Sequence, residues 1–329
     1  MRARVAVEHR GWYVLYADGA EVWATLAGRL RHEAESRADL PVVGDWVVAR
    51  IEGDSAAIEA VLPRATQLAR KAAGLAAEMQ LIAANVDTVF IVSGLDHDYN
   101  LRRIERYVAF VRSGGAESVV LLNKSDLCHE LEQRLDEVSE IGTKVVALSA
   151  REGAGVEQLE AYLDAGQTVA LVGSSGAGKS TLTNRLLGYE RQATNEVREG
   201  DARGRHTTTR RELVVLPGGA FLIDTPGLRE LQLWAGGDDV AGSFADIEEL
   251  AAECRFADCS HHVEAADGCA VVAALEAGTL DAGRFDNFQK LLREAAYLEH
   301  RVDVGAARAQ KQQWKAIHKA MRTMPKKGR

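Results

Sequence analysis

The stretch Gly173-Ser-Ser-Gly-Ala-Gly-Lys-Ser-Thr181 fits the pattern G-x-x-x-x-G-K-[ST], which is typical of loops that bind polyphosphates. In such a loop small residues let backbone N–H groups close around the phosphates, and the residues here are Gly173, Ser174, Ser175, Gly176, Ala177 and Gly178. The Lys179 side chain can then reach the β- and γ-phosphates. The hydroxyl of Ser180, which precedes Thr181, can bind Mg²⁺. The pattern therefore predicts a site for a nucleoside triphosphate with Mg²⁺.

The residues on either side of this loop favour the same interpretation. Thr168 to Val172 is an apolar run of strand length that leads into the loop. Ser180 to Leu187 reads as a helix that leaves the loop, so its positive N-terminus would point at the phosphates. An ordinary Gly/Ser turn is the alternative, and the strand–loop–helix context argues against it.

The composition sets the outer limits for the fold. A chain of 329 residues with 47% hydrophobic residues predicts two or three domains with real cores. Its longest apolar runs are of strand length, and Met1 to His9 lacks an apolar signal segment, so we expect a cytoplasmic protein that makes no membrane contact. Four cysteines in such a compartment favour metal ligands or free thiols over disulfides.

The charge is unevenly distributed along the chain. The net charge is −8, yet Arg308 to Arg329 carries eight lysines and arginines and no acidic residue. An acidic body with a basic tail favours a nucleic-acid contact made through the tail. A solvated basic helix without a partner is the alternative.

Residues 1 to about 65 show a β pattern. Short strand candidates separated by turn residues predict a small barrel, with an OB-fold as the leading candidate, and they are residues 11–16, 21–26, 45–51 and 56–62. Trp12, Trp23 and Trp46 are either core residues of this barrel or platforms on which nucleic-acid bases stack. A linker is expected to begin at Pro63.

From residue 84 onward strands alternate with helices. The expected strands are 86–92, 118–122, 144–150, 168–172, 212–216 and 220–224. The expected helices are 100–111, 129–140, 156–163 and 180–187. This alternation predicts a doubly wound, mostly parallel α/β sheet, with ligand loops at the carboxyl ends of its strands. Residues 270–329 read as helical.

Two further motifs lie at strand ends. Asn123-Lys124-Ser125-Asp126 resembles the N-K-x-D guanine-recognition motif of GTPases. The Asp126 carboxylate can accept hydrogen bonds from N1–H and the exocyclic amine of guanine, a pair that adenine does not offer. Ser149-Ala150 ends the next strand and matches the supporting S-A loop, whose backbone contacts the guanine oxygen.

The γ-phosphate side has its own candidates. Asp224-Thr-Pro-Gly227 resembles the D-x-x-G motif of GTPases, in which the Asp holds Mg²⁺ through water and the Gly N–H contacts the γ-phosphate. In the preceding polar segment, Gly204 to Thr209, one threonine should close over Mg²⁺, and we take it to be Thr208. The motif order is permuted, because N-K-S-D and S-A precede the phosphate loop.

With these motifs the chain resembles the circularly permuted ribosome small subunit-dependent GTPase A family over nearly its whole length. The resemblance also rests on Pro41 to Trp46, Ala84 to Asp87 and Asp224 to Leu231. It implies a multidomain protein with an N-terminal OB-fold, a central permuted P-loop GTPase and a C-terminal helical zinc domain, here residues 1–66, 67–235 and 236–329. It further implies GTP hydrolysis that is stimulated by the small ribosomal subunit, binding to its rRNA and a role in its late maturation. A monomer is the simplest expectation.

The catalytic residue needs a separate argument. Classical GTPases orient the attacking water with a Gln just after D-x-x-G, whereas Leu228 occupies that position here. His206 is the best local substitute, because a neutral imidazole can orient water or accept its proton. The resemblance points to the same residue. The alternative is that His206 only packs in the structure or contacts RNA.

The replacement of the Gln also leaves open a different function, that of a nucleotide-gated RNA-binding module with negligible turnover. An ATPase is a third possibility.

Three cysteines and a histidine cluster near residue 260. The residues Cys254, Cys259, His261 and Cys269 suit a tetrahedral Cys₃His site for one structural zinc ion. In the resembling family the stretch from the His to the last Cys is shorter, and Asp267 stands where a Pro is usual. His262 therefore competes with His261, which has the C-x-H spacing. The thiols could instead be buried and free or form a disulfide, and Cys128 lies far away.

Overall fold

A computed structural model describes residues 1–71, 79–190, 211–224, 237–256, 259–261 and 268–297. In these ranges eleven strands form one sheet, and one end of that sheet closes into a barrel. The basic tail from Arg308 to Arg329 lies outside the described residues. No described helix is long and apolar enough to cross a membrane.

The N-terminal residues form a closed five-stranded barrel. Its strands are β1 (Arg2–Glu8), β2 (Tyr13–Ala17), β3 (Ala20–Leu26), β4 (Trp46–Glu52) and β5 (Ser55–Val61), with a short helix α1 (Gly28–Glu33) after β3. The strands pair in the order β1-β2-β3-β5-β4, and β4 returns to β1 to close the barrel. Only β3 and β5 run parallel, and this is the strand order of an OB-fold. The predicted barrel is confirmed, with β1 as a strand that the sequence pattern did not single out.

Alternating apolar residues explain the barrel core. Val5, Leu15, Val47 and Ile58 come from four different strands and are fully buried in one cluster. Their neighbours along each strand point outward, since successive side chains of a strand lie on opposite faces. The expected linker after Pro63 is partly a hairpin, in which β6 (Gln67–Lys71) pairs with β7 (Met79–Ala84).

The central part is the expected doubly wound sheet. Its strands are β8 (Thr88–Gly94), β9 (Glu117–Asn123), β10 (Lys144–Leu148), β11 (Thr168–Val172), β12 (Glu212–Val215) and β13 (Phe221–Asp224). The order is β10-β9-β8-β11-β13-β12, parallel except for β12. The helices are α2 (Leu101–Ser113), α3 (Leu131–Ser139) and α4 (Lys179–Leu187). The carboxyl ends of β8, β9, β10 and β11 therefore meet along one edge.

One predicted helix has a different form. Residues 156–163 were expected to be α-helical, but Val156–Tyr162 is a 3₁₀ helix. Only Leu159 is buried in this segment, so no continuous apolar stripe selects a longer α-helix. Gly155 precedes it in the left-handed region and offers no side-chain cap for its first turn.

The barrel and the central sheet are continuous. Val7 of β1 pairs with Glu212 of β12, which joins the two sheets edge to edge. Beside this joint the buried guanidinium of Arg4 donates to the carbonyl oxygens of Gly44 (3.3 Å) and Asn85 (2.9 Å). The same guanidinium lies 4.9 Å from the ring centroid of Phe221 on β13. Burial lowers the pKa of Arg4 to about 10, although Asp87 and Asp45 favour its charged form.

The C-terminal helices pack on α2. They are α5 (Gly237–Gly242), α6 (Ala245–Ala252), α7 (Ala270–Glu276) and α8, which covers residues 282–297 of the described chain. Phe244, which precedes α6, shares one hydrophobic cluster with Val271 of α7, Phe288 of α8, and Ile104 and Val108 of α2. The central sheet and the C-terminal helices are thus built around one continuous core.

Candidate functional site

The phosphate loop lies between β11 and α4, where the sequence pattern placed it. Lys179 is the first residue of α4, and its Nζ donates to the carbonyl oxygen of Gly173 at 2.8 Å and to that of Ser174. These bonds hold the lysine across the loop. The loop backbone and the N-terminus of α4 therefore form a cradle in which N–H groups can face an anion.

Two glycines of the loop have no room for a side chain. Gly173 has φ +139°, and a Cβ there would lie 2.2 Å from the carbonyl oxygen of Val92. Gly178 has φ +99°, and a Cβ there would lie 2.0 Å from the side-chain nitrogen of Asn123. Both distances are far below van der Waals contact. Glycine is required here because the loop passes directly against β8 and the N-K-S-D motif.

Asn123 joins the phosphate loop to the S-A loop. Its side chain is buried, and its Nδ2 donates to the carbonyl oxygen of Ala177 at 2.7 Å. Its Oδ1 accepts a hydrogen bond from the backbone N–H of Ala150 at 2.9 Å. One amide thus fixes the relative position of two motifs that lie on different strands.

The other residues of N-K-S-D face the edge of the sheet. Lys124 adopts a left-handed backbone conformation (φ +64°) and its Nζ lies 2.5 Å from Oδ2 of Asp96. Partial burial by itself would raise the pKa of Asp96, but the Lys124 ammonium and the Asp98 backbone N–H hold that pKa below its ordinary value of 3.8. Asp126 lies exposed in the 3₁₀ turn Ser125–Leu127. An exposed carboxylate at this position is accessible to the base of a nucleotide.

The S-A loop is held from two sides. Ser149 and Ala150 are buried, and the Ser149 hydroxyl accepts the backbone N–H of Glu152 at 3.2 Å. Arg185 of α4 donates to the carbonyl oxygens of Ala150 (2.7 Å) and Arg151 (2.6 Å). The helix that follows the phosphate loop therefore also supports the loop predicted to contact guanine.

Three supporting residues carry no motif in the sequence. Asp96, Asp98 and Arg185 contact Lys124, Ser174 and Ala150, respectively. Acidic residues directly after β8 were a usable signal, because ligand loops follow the carboxyl ends of strands in a doubly wound sheet. The side chain of Arg185 gives no such signal, since its partners are backbone atoms of a distant loop.

The γ-phosphate side is only partly described. Asp224 is the last residue of β13, which pairs in parallel with β11, so its backbone lies at the same edge as the phosphate loop. His206, Thr208 and Gly227 lie outside the described residues.

The cysteine cluster is assembled as predicted. Cys254 follows α6, Cys269 caps the N-terminus of α7, and His261 lies between them in a left-handed conformation (φ +54°). The Sγ atoms of Cys254 and Cys269 are 3.8 Å apart, and Nδ1 of His261 lies 3.7 and 3.6 Å from them. With Cys259, all four possible ligand atoms lie within 4.8 Å of one another. His262 is outside the described residues.

The distances among Cys254, Cys269 and His261 match the edges of a tetrahedral zinc site, and Cys259 lies close enough to supply the fourth ligand. Zn–S bonds of about 2.3 Å and Zn–N bonds of about 2.0–2.1 Å give S···S edges of about 3.8 Å and S···N edges of about 3.6 Å. Three thiolates and one imidazole form a closed structural donor set. The cluster could therefore hold zinc between α6 and α7.

The barrel tryptophans differ in exposure. Trp12 packs partly against the central core, and its ring lies 3.5 Å from His9 and 4.4 Å from Trp23, measured between ring centroids. Trp23 is 57% exposed, whereas Trp46 is half-buried under the guanidinium of Arg2. Trp23 is thus the one of these three that offers an open face for stacking.

Comparison with protein families gives matches to two family models. The RsgA GTPase model matches residues 61–234. The ABC transporter model matches residues 156–321, a range that contains the phosphate loop. That second match does not include Asn123 or Asp126, which belong to the predicted base-recognition motif and lie within the first. The motif order and the full-length relatives agree with the first match.

The curated relatives extend the likeness over the chain. A small ribosomal subunit biogenesis GTPase RsgA from Opitutus terrae is 52% identical, with 97% of this chain and 90% of that protein covered. A protein of the same name from Xanthomonas oryzae pv. oryzae is 50% identical, with 89% and 80% covered.

Solved structures share the architecture. YjeQ from Thermotoga maritima has a TM-score of 0.66 and 27% identity, with 90% of this chain and 98% of that chain covered. YloQ, described as a circularly permuted GTPase, has a TM-score of 0.63 and 21% identity, with 90% and 94% covered. The second likeness concerns the fold alone.

Proposed function

The chain belongs to the RsgA GTPase family, and we propose from this premise that it acts as a GTP-dependent timing switch in late maturation of the small ribosomal subunit. The observation that carries the proposal is the Asn123 amide, which holds the phosphate loop and the S-A loop together in one preformed site. The names of the curated relatives support the ribosomal partner. GTP would favour binding to the subunit, and hydrolysis would favour release.

The described residues have distinct roles in this proposal. The loop from Gly173 to Gly178 and the N-terminus of α4 surround the phosphates, and Lys179 neutralises their charge. Ser180 and Asp224 would hold Mg²⁺, which supplies positive charge to the triphosphate when bound. Thr181 lies in the first turn of α4. Asp126 selects guanine, with Lys124, Ser149 and Ala150 shaping the base side.

Hydrolysis needs an ordered water molecule. We assign the orientation of this water to His206, because Leu228 carries no polar group. Thr208 and Gly227 would complete the γ-phosphate side. A His206→Ala variant should retain GTP binding, and its stimulated turnover should fall about 10²–10⁴-fold, the range of general acid–base effects. Unchanged turnover would exclude this role.

The cysteine cluster provides a second, structural contribution. We propose that Cys254, Cys259, His261 and Cys269 bind one zinc ion, which would fix the loop between α6 and α7. Metal analysis of the purified folded protein should give about one zinc per chain. A value near zero would contradict the assignment.

The flanking parts would make the ribosomal contacts. We propose an rRNA-binding barrel (1–66), a GTPase unit (67–235) and a zinc-containing helical unit with the basic tail (236–329). The exposed face of Trp23 supports RNA contact through the barrel. The protein is proposed to act as a cytoplasmic monomer that makes no membrane contact.

The decisive experiment measures GTP turnover with and without purified small ribosomal subunits, with ATP as the control. Stimulation that is specific to GTP is the expected result. An Asp126→Asn variant should have a lower affinity for GTP and a preference for xanthosine nucleotides, because it no longer has a carboxylate that accepts hydrogen bonds from the guanine donors. GTP binding without stimulation by the subunit would contradict the switch and favour a binding module, and equal turnover of ATP would contradict the guanine assignment.

A further inference from the structure

The loop formed by residues 95–100, between β8 and α2, touches both halves of the candidate nucleotide site. Oδ2 of Asp96 lies 2.5 Å from Nζ of Lys124, on the guanine side. Oδ2 of Asp98 accepts a hydrogen bond from the hydroxyl of Ser174, in the phosphate loop. The backbone N–H of Leu95 donates to the carbonyl oxygen of Asn123 at 2.8 Å. One short connection thus reaches two motifs that are far apart in sequence.

This loop is itself firmly held. The Arg103 guanidinium lies 2.8 Å from Oδ1 of Asp98 and also donates to the Asp98 carbonyl oxygen. Asn100 caps α2 by accepting the Arg103 backbone N–H at 2.9 Å. The Tyr99 hydroxyl donates to Glu137 of α3 at 2.7 Å. The two carboxylates therefore project from a frame that is fixed on two helices.

The chemistry of the contacts indicates what the carboxylates do. Carboxylates repel phosphate, so a favourable direct contact of either one with a bound polyphosphate is excluded. Each instead accepts a hydrogen bond from a side chain of a nucleotide motif. The carbonyl oxygen of Ser174 accepts a hydrogen bond from Nζ of Lys179. The bond between Asp98 and the Ser174 hydroxyl therefore also holds in place a residue that positions the phosphate-binding lysine.

We propose that Asp96 and Asp98 are positioning residues of the nucleotide site, Asp98 for the phosphate loop through Ser174 and Asp96 for the guanine side through Lys124. This inference rests on the proposed function, because it takes the two motifs as the nucleotide site. It assigns a role to a loop that carries none of the sequence motifs.

The two variants should therefore fail in different ways. Asp98→Ala should weaken GTP and GDP binding about tenfold, because a hydrogen bond to a charged group is lost. It should leave the preference for GTP over ITP unchanged. Asp96→Ala should reduce that preference several-fold, because ITP lacks the exocyclic amine and discrimination depends on a well-placed N-K-S-D loop.

A double-mutant cycle tests the route through Ser174. If Asp98 acts through this hydroxyl, Ser174→Ala and the double variant Asp98→Ala/Ser174→Ala should bind GDP as weakly as Asp98→Ala alone. Asp98→Asn, which retains an acceptor oxygen, should recover most of the affinity. Additive losses in the cycle would overturn the route.

The measurements are fluorescence titrations with GTP, GDP and ITP on the full chain, with urea unfolding of each variant. Asp136→Ala, which removes an exposed carboxylate of α3, is the matched control and should bind as the wild type does. Wild-type protein that binds no GTP would refute the proposed function. Two outcomes would refute this inference alone, given that the wild type binds GTP. In the first, Asp96→Ala and Asp98→Ala bind all three nucleotides with wild-type affinity. In the second, both variants lose the same affinity for GTP, GDP and ITP.

Discussion

At the scale of single residues, the site depends on buried polar groups that satisfy one another. Asn123 is 3% exposed and uses both ends of its amide, one for each of two loops. A buried donor or acceptor that loses its partner costs about 1–3 kcal/mol. The conformation of the phosphate loop therefore depends on the buried Asn123 side chain.

Replacement of this amide should affect stability and binding together. Asn123→Ala leaves the Ala177 carbonyl and the Ala150 N–H without partners, so we expect a loss of about 2–4 kcal/mol in unfolding free energy. GDP affinity should fall at least about tenfold, because the two loops lose their common anchor. Urea unfolding and nucleotide titration measure the two effects. Gln133→Ala, which removes an exposed amide on α3, should cost less than about 0.5 kcal/mol, and equal losses in both variants would contradict the anchoring role of Asn123.

Short motifs explain how much of the site could be predicted. Gly173 to Thr181 and Asn123 to Asp126 encode their chemistry locally, so spacing alone located them. The residues that hold them, such as Asp98 and Arg185, act on atoms that only the tertiary structure brings near. A single sequence carries no periodic signal for such pairs, and they had to be found in the structure.

At the scale of elements, α2 connects the site to the C-terminal helices. Glu105 of α2 is 2% exposed and accepts hydrogen bonds from Arg102, Arg284 and Asn287, two of which lie on α8. Arg284 in turn makes two bonds to Asp246 of α6. The helix that follows the 95–100 loop is thus bonded directly to α8 and, through Arg284, linked to α6.

Loss of Glu105 should reduce the unfolding free energy more than loss of a comparable surface ion pair. Glu105→Ala removes a partner of the mostly buried Arg284 charge, a loss that costs about 3–5 kcal/mol where no other partner remains, and one of the partners of the more exposed Arg102. Asp246 and Asp281 keep partial pairing here, so we expect about 2–3 kcal/mol. Glu294→Ala removes a more exposed α2–α8 pair, with Arg106, and should cost less than about 1 kcal/mol. Similar unfolding free energies for the two variants would contradict a buried docking contact.

The Asp246–Arg284 pair predicts a dependence on pH. Burial would raise the pKa of Asp246, but the hydrogen bonds and charge of Arg284 outweigh it and hold that pKa below 3.8. The unfolded chain therefore binds this proton first on acidification, so the contribution of the pair is present above about pH 3.8 and is lost as pH falls through the folded pKa. The unfolding free energies of wild type and Asp246→Asn should differ by less than about 1 kcal/mol at neutral pH, because the carboxylate is partly exposed, and should converge as pH falls below 3.8 and through the folded pKa. A difference that grows on acidification would contradict the sign.

Element prediction succeeded where the local pattern was strong. The barrel strands β2 to β5 and the sheet strands β8 to β11 were expected from alternation and apolar runs. The hairpin β6–β7 was not, because β6 has the polar sequence Gln67–Lys71 and forms through pairing with β7. Val156–Tyr162 became a 3₁₀ helix since its burial is confined to Leu159.

At the scale of the whole molecule, the barrel and the GTPase sheet form one continuous structure. The pairing of β1 with β12 joins Val7 to Glu212, which are far apart in sequence, and no local pattern could have predicted it. β12 and β13 lie between the two segments expected to respond to the γ-phosphate. A rearrangement of these strands would therefore be transmitted to the barrel through the backbone of the sheet and the Arg4–Phe221 contact.

Gly44 offers a direct test of this joint. It has φ +91°, and a Cβ at this position would lie 2.1 Å from the Ala84 carbonyl oxygen and 3.1 Å from Cδ1 of Ile223 on β13. Gly11 has φ +89° and nothing within 4 Å of the same position. Both alanine variants carry the backbone strain of a left-handed residue. Their difference therefore isolates the close approach of the barrel to the end of β7 at Ala84 and to Ile223 of β13. Gly44→Ala should be about 1–3 kcal/mol less stable than Gly11→Ala in urea unfolding. It should also lose more of the subunit-stimulated GTP turnover, because the barrel would be displaced from β13. Equal stability and turnover in the two variants would show that the barrel and the GTPase sheet are not mechanically joined at Gly44.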